Sequence, residues 1–576
     1  MLKKDDQVTI EIEDIGTDGA GIGKADGYTL FVKDAVIGDI IKAKVIKAKK
    51  TYGYARLMEI ITPSKDRVEP VCPVARQCGG CQIQQMSYSA QLKYKQKLVR
   101  DNLARIGGIT DCEVLPVIGM ENPFNYRNKA QYPVGEDKDG NIIMGFYAGH
   151  THSIIPCDDC LLGDENNSVI LTAVKQWMKD YRVRAYNENI HKGTLRHILI
   201  RTGFHTDEIM VCLVTKKMLR KEAADGLVRV IERLNSGSSA SDNISSGSDN
   251  NTSNNSGRKL NIASLVVNIN KEDTNVILGR ECVTLYGRPY IEDYIGDIKF
   301  QISPLSFFQV NPKQTEVLYN KALEFANLTG SEAVWDLYCG IGTISLFLAK
   351  NAGMVYGVEI VPQAIEDAKN NAGLNGIDNA EFFVGKAEEV VTAFYESRKA
   401  DDGTGHNMTR PDVIVVDPPR KGCDEKLLDT IVTMSPQRVV YVSCDSATLA
   451  RDLKYLVANG YEIAHVQPVD QFAHTVHVET VVLLSHKKPD GHINVKVEFG
   501  EGEGKVPLDN IAKRAEEYKP KERVTYKMIK EYIEAKLGKN QNVTLPVLLD
   551  ICEYLNCDFG DIMEALPDDV DKERES

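Results

Sequence analysis

The sequence contains no stretch that is both long and apolar enough to span a membrane. Its opening residues, Met-Leu-Lys-Lys-Asp-Asp, also lack the apolar run of a secretory signal peptide. Positive charge is in deficit, because 69 lysines and arginines stand against 82 aspartates and glutamates, for a net charge of −13. This balance disfavours nucleic-acid binding by the whole surface but is compatible with a local basic groove. We therefore expect a cytoplasmic protein with no membrane partner.

A disulfide framework is not expected either. The 13 cysteines are an odd number and are spread over the whole length of the chain. Such usage is typical of a reducing compartment, in which thiols serve as metal ligands or catalytic groups. With 576 residues the chain is too long for one hydrophobic core. We divide it into four segments, residues 1–62, 63–299, 300–487 and 488–576.

Residues 1–62 are predicted to form a small β-barrel of the OB type. Short runs rich in β-forming residues, such as Val8-Thr-Ile-Glu-Ile-Glu13, are separated by glycine turns. One predicted strand and the turn after it carry five lysines, which either contact phosphates or guard a strand edge: Lys42, Lys44, Lys47, Lys49 and Lys50. The segment resembles a TRAM domain, an RNA-binding module.

Residues 63–299 begin with a loop that is rich in cysteine and glycine. Cys72, Cys78 and Cys81 lie close together in sequence, and the glycines between the last two allow the backbone to wrap. This spacing is a strong signal for a metal site, either zinc or an iron–sulfur cluster, with four thiolates needed. The candidates for the fourth thiolate are Cys112, Cys157 and Cys160.

The remainder of this segment is predicted to be rich in strands. Basic residues at helical spacing, among them Lys93, Lys95 and Lys97, first predict a helix with a solvated face. Residues 236–257 are almost all Ser, Gly, Asn and Asp and are predicted to be a disordered insertion. Four further basic residues either contact phosphates or are plain surface charge: Arg127, Lys129, Arg196 and Arg201.

Residues 300–487 alternate strand and helix patterns, which predicts a doubly wound parallel sheet. The first strand, residues 333–338, runs into the glycine turn Cys339-Gly-Ile-Gly-Thr-Ile-Ser345. The second strand ends at Glu359, where an acid can bind ribose hydroxyls. Because Ser345 stands in place of the third glycine of the dinucleotide motif, the turn favours S-adenosylmethionine, which has no pyrophosphate.

Two further strands of this segment end in candidate chemical groups. One runs into Asp417-Pro-Pro-Arg420-Lys-Gly, whose prolines fix the chain beside Asp417. The other is uncharged and runs into Cys444, at the edge where open α/β sheets bind ligands. Cys444 is therefore a candidate nucleophile, and the alternative is a buried cysteine that packs as a small hydrophobe. Glu479, at the start of the last strand, is either catalytic or an ordinary strand-end carboxylate.

Residues 488–576 leave this alternating pattern and end in acidic sequence. Residues 548–564 faintly resemble the last helices of a phage-repressor helix-turn-helix. The front half of that motif is not evident, so we assign no DNA binding and leave the role of the extension open.

Over residues 1–487, these motifs together resemble those of the bacterial RNA 5-methyluridine methyltransferases of the TrmA/RumA (RlmD-like) family. The matching stretches are the cysteine loop with Cys160, Phe300-Gln-Ile-Ser-Pro-Leu-Ser-Phe-Phe-Gln309, Asp336-Leu-Tyr-Cys-Gly-Ile-Gly342, Asp417-Pro-Pro-Arg420-Lys-Gly, Ser443-Cys444-Asp445 and His477-Val-Glu479.

The resemblance implies a role for each of these groups. Cys444 is implied as the nucleophile and Glu479 as the proton acceptor. The residues implied to hold S-adenosylmethionine are Gln309, Tyr338, Glu359 and Asp417. The residues implied to hold a [4Fe–4S] cluster are Cys72, Cys78, Cys81 and Cys160.

The expected architecture is α/β, with a Rossmann-like S-adenosylmethionine methyltransferase domain, an OB-type barrel and a strand-rich central domain that carries the iron–sulfur site. The implied reaction is C5-methylation of uridine in RNA through an adduct between Cys444 and C6. The resemblance favours 23S rRNA over tRNA, because the TRAM-like domain and the cysteine cluster accompany the rRNA enzymes. A monomer is expected. The rival classes are a nicotinamide-dependent oxidoreductase and a non-catalytic RNA-binding iron–sulfur protein.

Overall fold

The computed structural model describes residues 2–149, 151–237, 258–401 and 411–487, with only the backbone for residues 396–401. The predicted disordered insertion, apart from its first two residues, and the C-terminal extension lie outside these ranges. Among the helices within them, none combines the length and the apolar character needed to cross a bilayer.

A closed five-stranded barrel begins the fold, as the sequence predicted. Its strands follow the order β1-β2-β3-β5-β4, and β4 pairs back onto β1. Along β4, Ile41, Ala43 and Val45 are buried while Lys42 is exposed, so the alternating pattern sets which face closes over the core. The strand bounds are β1 (Gln7–Ile15), β2 (Gly21–Ala25), β3 (Tyr28–Val32), β4 (Ile40–Ala48) and β5 (Tyr52–Thr62).

Helix α1 (Tyr88–Asn102) follows the cysteine loop and continues into a π-helical turn at Leu103–Gly107. It begins at Ser87, whose side chain accepts a hydrogen bond from the backbone N–H of Ala90. The predicted solvated face is wrong at Lys95, which is fully buried and pairs with the carboxylate of Asp470 at 2.6 Å. This ion pair ties α1 to the loop that precedes Glu479.

A seven-stranded sheet forms the central part, in the order β12-β11-β10-β9-β6-β7-β8. Every residue of β9 and β10 is buried, because these strands lie in the middle of the sheet. The elements are β6 (Lys129–Glu136), β7 (Ile142–Tyr147), β8 (Ile154–Pro156), α2 (Asn166–Asp180), β9 (Leu195–Thr202), β10 (Ile209–Thr215), α3 (Lys221–Ser236), β11 (Ile262–Ile269) and β12 (Glu281–Gly287). A hairpin of β13 (Ile291–Ile295) and β14 (Ile298–Ile302) leads out of it.

The last part is an α/β domain around a second seven-stranded sheet. Its elements are α4 (Pro312–Ala326), β15 (Ala333–Asp336), α5 (Thr343–Ala349), β16 (Met354–Glu359), α6 (Pro362–Leu374), β17 (Ala380–Val384), α7 (Ala387–Asp401), β18 (Val413–Val416), α8 (Glu425–Met434), β19 (Arg438–Ser443), α9 (Ser446–Ala458), β20 (Tyr461–Val469) and β21 (Glu479–His486). The strand predicted at residues 333–338 thus ends two residues earlier, at Asp336.

The sheet order β17-β16-β15-β18-β19-β21-β20 corrects the prediction of a purely parallel sheet. β21 pairs antiparallel with both β19 and β20, because it returns from β20 and is inserted between that strand and β19. Both faces of the sheet are covered. Val413 and Val415 pack into one hydrophobic cluster, and Ile414 and Val416 into another on the opposite face, which explains the uninterrupted apolar runs.

The buried pair of Lys95 and Asp470 provides a test of how the domains are joined. Lys95→Met is expected to destabilise the protein by about 3–5 kcal/mol, because it leaves an uncompensated buried carboxylate. The double variant Lys95→Met/Asp470→Asn should recover much of that loss. Urea denaturation measures both, with exposed Lys93→Met as the matched control. Equal stability of Lys95→Met and Lys93→Met would contradict the expectation.

Candidate active site

The candidate site lies at the carboxyl edge of the second sheet, where β19 ends at Ser443 and β21 begins at Glu479. The antiparallel register pairs Ser443 with Thr480, so the next residue of one strand, Cys444, meets the preceding residue of the other, Glu479. Asp445 then caps α9 by accepting hydrogen bonds from the backbone of the helix's first turn. The thiol is therefore held between a strand end and a helix cap.

Three carboxyl groups lie together at this edge, with Asp336 and Glu479 buried and Asp417 half-buried, and desolvation raises the pKa of each. The pKa of Asp336 is raised to about 6, although the hydroxyl of Ser345 donates to it at 2.6 Å. That of Asp417 is raised to about 7 by burial and by Asp336. That of Glu479 is raised to about 8 by burial and by Asp417. Each carboxylate thus makes ionisation of the next more costly.

Cys444 shares this environment. Burial, followed by the charges of Glu479 and Asp417, raises the pKa of its thiol to about 12, while Arg420 acts in the opposite direction. Arg420 is also the cation that lowers the pKa of Glu479. The sequence placed Arg420 in the motif that begins at Asp417 but indicated no role for its side chain. The arrangement offers a thiol with adjacent carboxyl groups and a cation, Arg420, that favours the thiolate.

A cradle for a cofactor lies next to these acids, in the glycine turn after β15. Gly340 has φ of 53° and Gly342 has φ of 83°, the left-handed region that favours glycine. The space in front of Gly340 is open, since a Cβ placed there would have no neighbour within 4 Å. Tyr338 begins the turn and is half-buried. Burial, followed by the charges of Cys423 and Asp424, raises the pKa of its hydroxyl group.

The side chain of Glu359 marks the other wall of this cradle. It ends β16 and accepts a hydrogen bond from the backbone N–H of Val361 through Oε1 at 3.0 Å. The two residues after it are apolar but exposed, with Ile360 at 62% and Val361 at 50%. A carboxylate at this position can bind the hydroxyl groups of a ribose, and the exposed apolar side chains after it can pack against an adenine ring.

Gln309 is buried in the loop between β14 and α4. Its carbonyl accepts a hydrogen bond from the side chain of Asn128 at 3.0 Å, which ties the loop to the central domain. The helix that follows carries Tyr319, whose pKa is raised by burial and then by Asp417. The loop also exposes Phe307 at 68%, a feature that the sequence analysis did not single out.

The cysteine loop does not form a ligand set. Cys72, Cys78, Cys81 and Cys160 are near enough to influence one another electrostatically. However, no three His, Cys, Asp or Glu side chains in the described part of the chain converge closely enough to hold a metal ion. Burial raises the pKa of Cys81 to about 12, so in this arrangement it packs as a neutral thiol.

Several groups at this loop are nevertheless placed to stabilise thiolates. The backbone N–H of Gly80 donates to the Sγ of Cys78 at 3.3 Å. The Gln84 side chain donates to the Sγ of Cys81 at 3.9 Å. Arg127 is half-buried, and its charge lowers the pKa of Cys78, Cys81 and Cys160. Donors aimed at sulfur are a usual feature of metal–thiolate sites.

The barrel presents a surface that the lysine pattern alone did not reveal. Phe31, Tyr52 and Tyr54 are half-exposed, and their ring centroids lie 5.7–5.8 Å apart. The parallel pairing of β3 with β5 sets Phe31 opposite Tyr54. The ammonium of Lys49 lies 4.9 Å from the centroid of the Tyr52 ring. Rings and cations in this arrangement can stack unpaired bases and contact phosphates.

The predicted basic residues of the central domain are mostly not surface charge. Arg196 and Arg201 are 5% and 4% exposed. Arg201 donates to the carbonyl of Ser306 at 2.6 Å, so it holds the loop that contains Gln309. Burial lowers the pKa of Lys129 to about 8. The two arginines are therefore neither exposed phosphate contacts nor plain surface charge. Both are buried, and both donate hydrogen bonds to backbone carbonyls.

Comparison with known proteins gives three family matches. The model described as tRNA (Uracil-5-)-methyltransferase matches residues 262–487, and the TRAM domain model matches residues 6–58. The model of the Cro/C1-type HTH DNA-binding domain matches residues 533–568, which overlap the faint helix-turn-helix resemblance and lie outside the described ranges.

Two relatives and one solved structure are informative. A protein of Halalkalibacterium halodurans named an uncharacterized RNA methyltransferase is 52% identical over 486 residues, covering 84% of this chain and 98% of that protein. One of Clostridium tetani with the same kind of name is 47% identical over 485 residues, covering 84% and 97%. The crystal structure of Pyrococcus abyssi tRNA (uracil-54, C5)-methyltransferase with S-adenosyl-L-homocysteine is 26% identical, with a TM-score of 0.61, and covers 83% of this chain and all of that one.

The raised pKa of Glu479 predicts a pH-dependent cost to stability. The unfolded carboxyl group releases its proton near pH 4.5, but the folded group holds it up to about pH 8, so folding stability falls as pH rises between these values. Glu479→Gln is therefore expected to be more stable than the wild type by roughly 1–3 kcal/mol at pH 8.5 and nearly equal at pH 4.5. Thermal melting at both pH values measures this, with exposed Glu462→Gln as control. A gain that does not depend on pH would contradict it.

Proposed function

The chain belongs to the family of RNA (uracil-5-)-methyltransferases, and we propose that it transfers a methyl group from S-adenosylmethionine to C5 of a uridine in RNA through a covalent Cys444 intermediate. The observation that carries the proposal is the strand pairing that sets Cys444 against Glu479, beside Asp417 and Arg420. A nucleophile, a proton acceptor and a cation within one site are what this reaction needs.

The cofactor pocket fits S-adenosylmethionine. The open space at Gly340, the carboxylate of Glu359 and the exposed apolar residues after it form a cradle for a nucleoside. Gln309, Tyr338, Glu359 and Asp417 would hold it. When bound, S-adenosylmethionine supplies an electrophilic methyl group and leaves as the neutral thioether S-adenosylhomocysteine.

Cys444 acts on the uracil ring from the other side. Its Sγ forms a bond to C6 after the thiol has released its proton to solvent. The electron pair of the 5,6 double bond then makes C5 nucleophilic, so that C5 forms a bond to the methyl group. The thiol needs help to ionise, since its pKa is about 12, and Arg420 is the cation that favours the thiolate. The target uridine has to leave its stack, because both faces of the ring must be reached.

Glu479 completes the reaction by accepting the proton of the methylated C5. The electron pair of the C5–H bond reforms the 5,6 double bond and expels the Sγ of Cys444, which restores the thiolate. The pKa of Glu479, about 8 in the buried site, suits a base that works near neutral pH. Asp417 is not assigned to proton transfer, since its proposed place is with the cofactor.

For the RNA substrate, we propose 23S rRNA. The TRAM domain and the ring cluster of Phe31, Tyr52 and Tyr54 support binding of a long RNA with unpaired bases. A transfer RNA is the second candidate. It is favoured by the structural similarity to the Pyrococcus abyssi enzyme, which is a tRNA (uracil-54, C5)-methyltransferase.

The proposal includes a [4Fe–4S] cluster on Cys72, Cys78, Cys81 and Cys160. Its support is the spacing of these cysteines, their shared neighbourhood and the donors aimed at their sulfurs. The four cysteine side chains would have to move closer together to bind the cluster. Deprotonation of the thiols and their bonding to iron would favour this movement.

Removal of each catalytic residue is expected to leave a different species. Cys444→Ala should give neither product nor covalent complex, because no bond to C6 can form. Glu479→Gln should add to C6 and transfer the methyl group, then stall with the C5 proton in place. The result is a denaturation-resistant protein–RNA adduct that carries label from S-adenosylmethionine, seen as a retarded band. RNA with 5-fluorouridine should trap the wild type in the same way.

The same adduct assay provides the controls and identifies the RNA substrate. The double variant Cys444→Ala/Glu479→Gln should give no adduct. Wild-type turnover by Glu479→Gln, or an adduct with Cys444→Ala, would show that the roles are wrongly assigned. Sequencing RNA recovered from an adduct formed with total RNA is expected to return a 23S rRNA segment, and recovery of tRNA would establish the second candidate.

The cluster assignment predicts different roles for two neighbouring cysteines, because Cys160 is a proposed ligand and Cys157 is not. Protein purified without oxygen is expected to be brown, with about four irons and four sulfides per chain. Cys160→Ser should lose iron and colour, whereas Cys157→Ser, the matched control from the same loop, should retain both. Iron and sulfide assays and visible absorbance provide the readout. Stoichiometric zinc without sulfide, or full cluster content in Cys160→Ser, would be incompatible with the assignment.

A further inference from the structure

A cavity of about 390 Å³ lies in the central domain, between the sheet and the loop that precedes β9. The sheet contributes Val134 and Glu136 from β6, Tyr147 from β7 and His197 from β9. The loop contributes residues 185–189. None of the residues assigned above to catalysis, cofactor binding or the cluster lines it. Its volume is within the range of small-molecule sites.

Arg196 gives this cavity a fixed positive charge. Its guanidinium donates to the carbonyls of Asn270, Glu272 and Thr274 at 3.3, 2.6 and 3.2 Å, and it lies over the ring of Tyr186 at 4.8 Å. These hydrogen bonds hold the arginine in place but do not neutralise it. Its Nε is buried without a hydrogen-bond partner. Buried polar atoms without a partner are uncommon in a folded protein.

His197 contributes a neutral ring beside that charge. Burial, followed by Arg196, lowers the pKa of His197 to about 4, so the imidazole is uncharged near neutral pH. Its Nε2 lies 3.4 Å from the hydroxyl of Tyr147, and its Nδ1 is buried without a partner. The lining therefore holds a cation, a neutral imidazole and a phenol, together with the carboxyl groups of Glu136 and Glu188.

Planar rings and amide groups complete the lining. Tyr147 stacks on His152 with ring centroids 5.1 Å apart, and Tyr186 forms part of the opposite wall. Asn187 and Asn189 contribute side chains with both donors and acceptors. Aromatic faces with fixed donors and acceptors are how proteins recognise unpaired bases of RNA, by stacking and by reading base edges.

The position of the cavity relates it to the methyl-transfer site. β6 starts at Lys129, directly after Asn128, which holds the Gln309 loop, and it reaches the cavity at Val134 to Glu136. At 3.4 Å per residue, these two ends of the strand are roughly 20 Å apart. One rigid strand thus spans the distance between the cofactor side and the cavity.

We propose that this cavity binds one unpaired nucleotide of the substrate RNA, distinct from the uridine that is methylated. This inference rests on the proposed function, since it takes the ligand to be part of the same RNA. The base stacks against the tyrosine rings, and its edge is read by the side-chain amides and by the polar atoms of Arg196 and His197. The RNA is then held at two points along β6, which fixes the target uridine in register with Cys444.

Photo-crosslinking tests where RNA lies. Purified protein is irradiated with total cellular RNA at 254 nm, digested and analysed by mass spectrometry for peptides that carry a nucleotide. Cys444→Ala is treated in parallel, so the result does not depend on methylation. We expect nucleotide adducts on the peptides that contain Tyr147 and residues 185–197. Adducts on the barrel without any on these two peptides would overturn the inference.

A mutant cycle then tests the contact itself. The crosslinked RNA segment is synthesised with and without an abasic site at the crosslinked nucleotide. For the wild type, the abasic site should weaken binding about tenfold, as expected for the loss of one stacked base. For Tyr147→Leu, intact RNA should bind about tenfold more weakly and the abasic site should have little further effect. Tyr286→Leu, on the far edge strand of the same sheet, is the matched control and should behave as the wild type.

Binding and turnover separate this inference from the proposed function. With Tyr147→Leu, the rate at saturating RNA and the affinity for S-adenosylmethionine should stay within about twofold of the wild type. Independent effects of the abasic site and Tyr147→Leu, with normal methylation, would overturn the cavity assignment alone. Coupled effects on binding in a protein that methylates no uridine would overturn the proposed function and leave the nucleotide site standing.

Discussion

The antiparallel insertion of β21 between β19 and β20 is the constraint on which the candidate site depends. A parallel strand at that position would present the opposite end of the segment at this edge of the sheet, and Glu479 would lie far from Cys444. The inserted strand instead starts where β19 stops, and its register sets the carboxyl group against the thiol. The buried ion pair between Lys95 and Asp470 fixes the loop that delivers Glu479 to this position.

The site is costly to fold for the same reason that it is useful. Asp336, Asp417 and Glu479 are desolvated side by side, and Arg420 is the cation that acts on Glu479 and Cys444. Their raised pKa values keep protons on groups that would be ionised in water. A carboxyl group with a pKa near neutrality can take up and release a proton during turnover, which an ordinary glutamate does poorly. Apolar packing on both faces of the sheet offsets this cost.

The surfaces proposed to contact RNA differ in chemistry. The barrel offers half-exposed rings with a lysine, the loop before α4 offers the exposed Phe307, and the central domain offers a half-open cavity lined in part by Arg196. A chain with net charge −13 cannot rely on general electrostatic attraction to hold RNA. Local stacking and shape therefore have to supply more of the binding free energy than in a basic protein.

The sequence by itself determined the local elements and the kinds of chemistry. Short β-forming runs between glycine turns predicted the barrel, uninterrupted apolar runs predicted the buried strands, and the residues that flank Cys444 placed it at a strand end. Only the tertiary structure decided which groups meet. The direction of β21, the burial of Lys95, Arg196 and Arg201, and the cavity between β6 and residues 185–189 all depend on contacts between segments distant in sequence. Such contacts follow from how whole sheets and helices pack, and no local pattern of residue types records them.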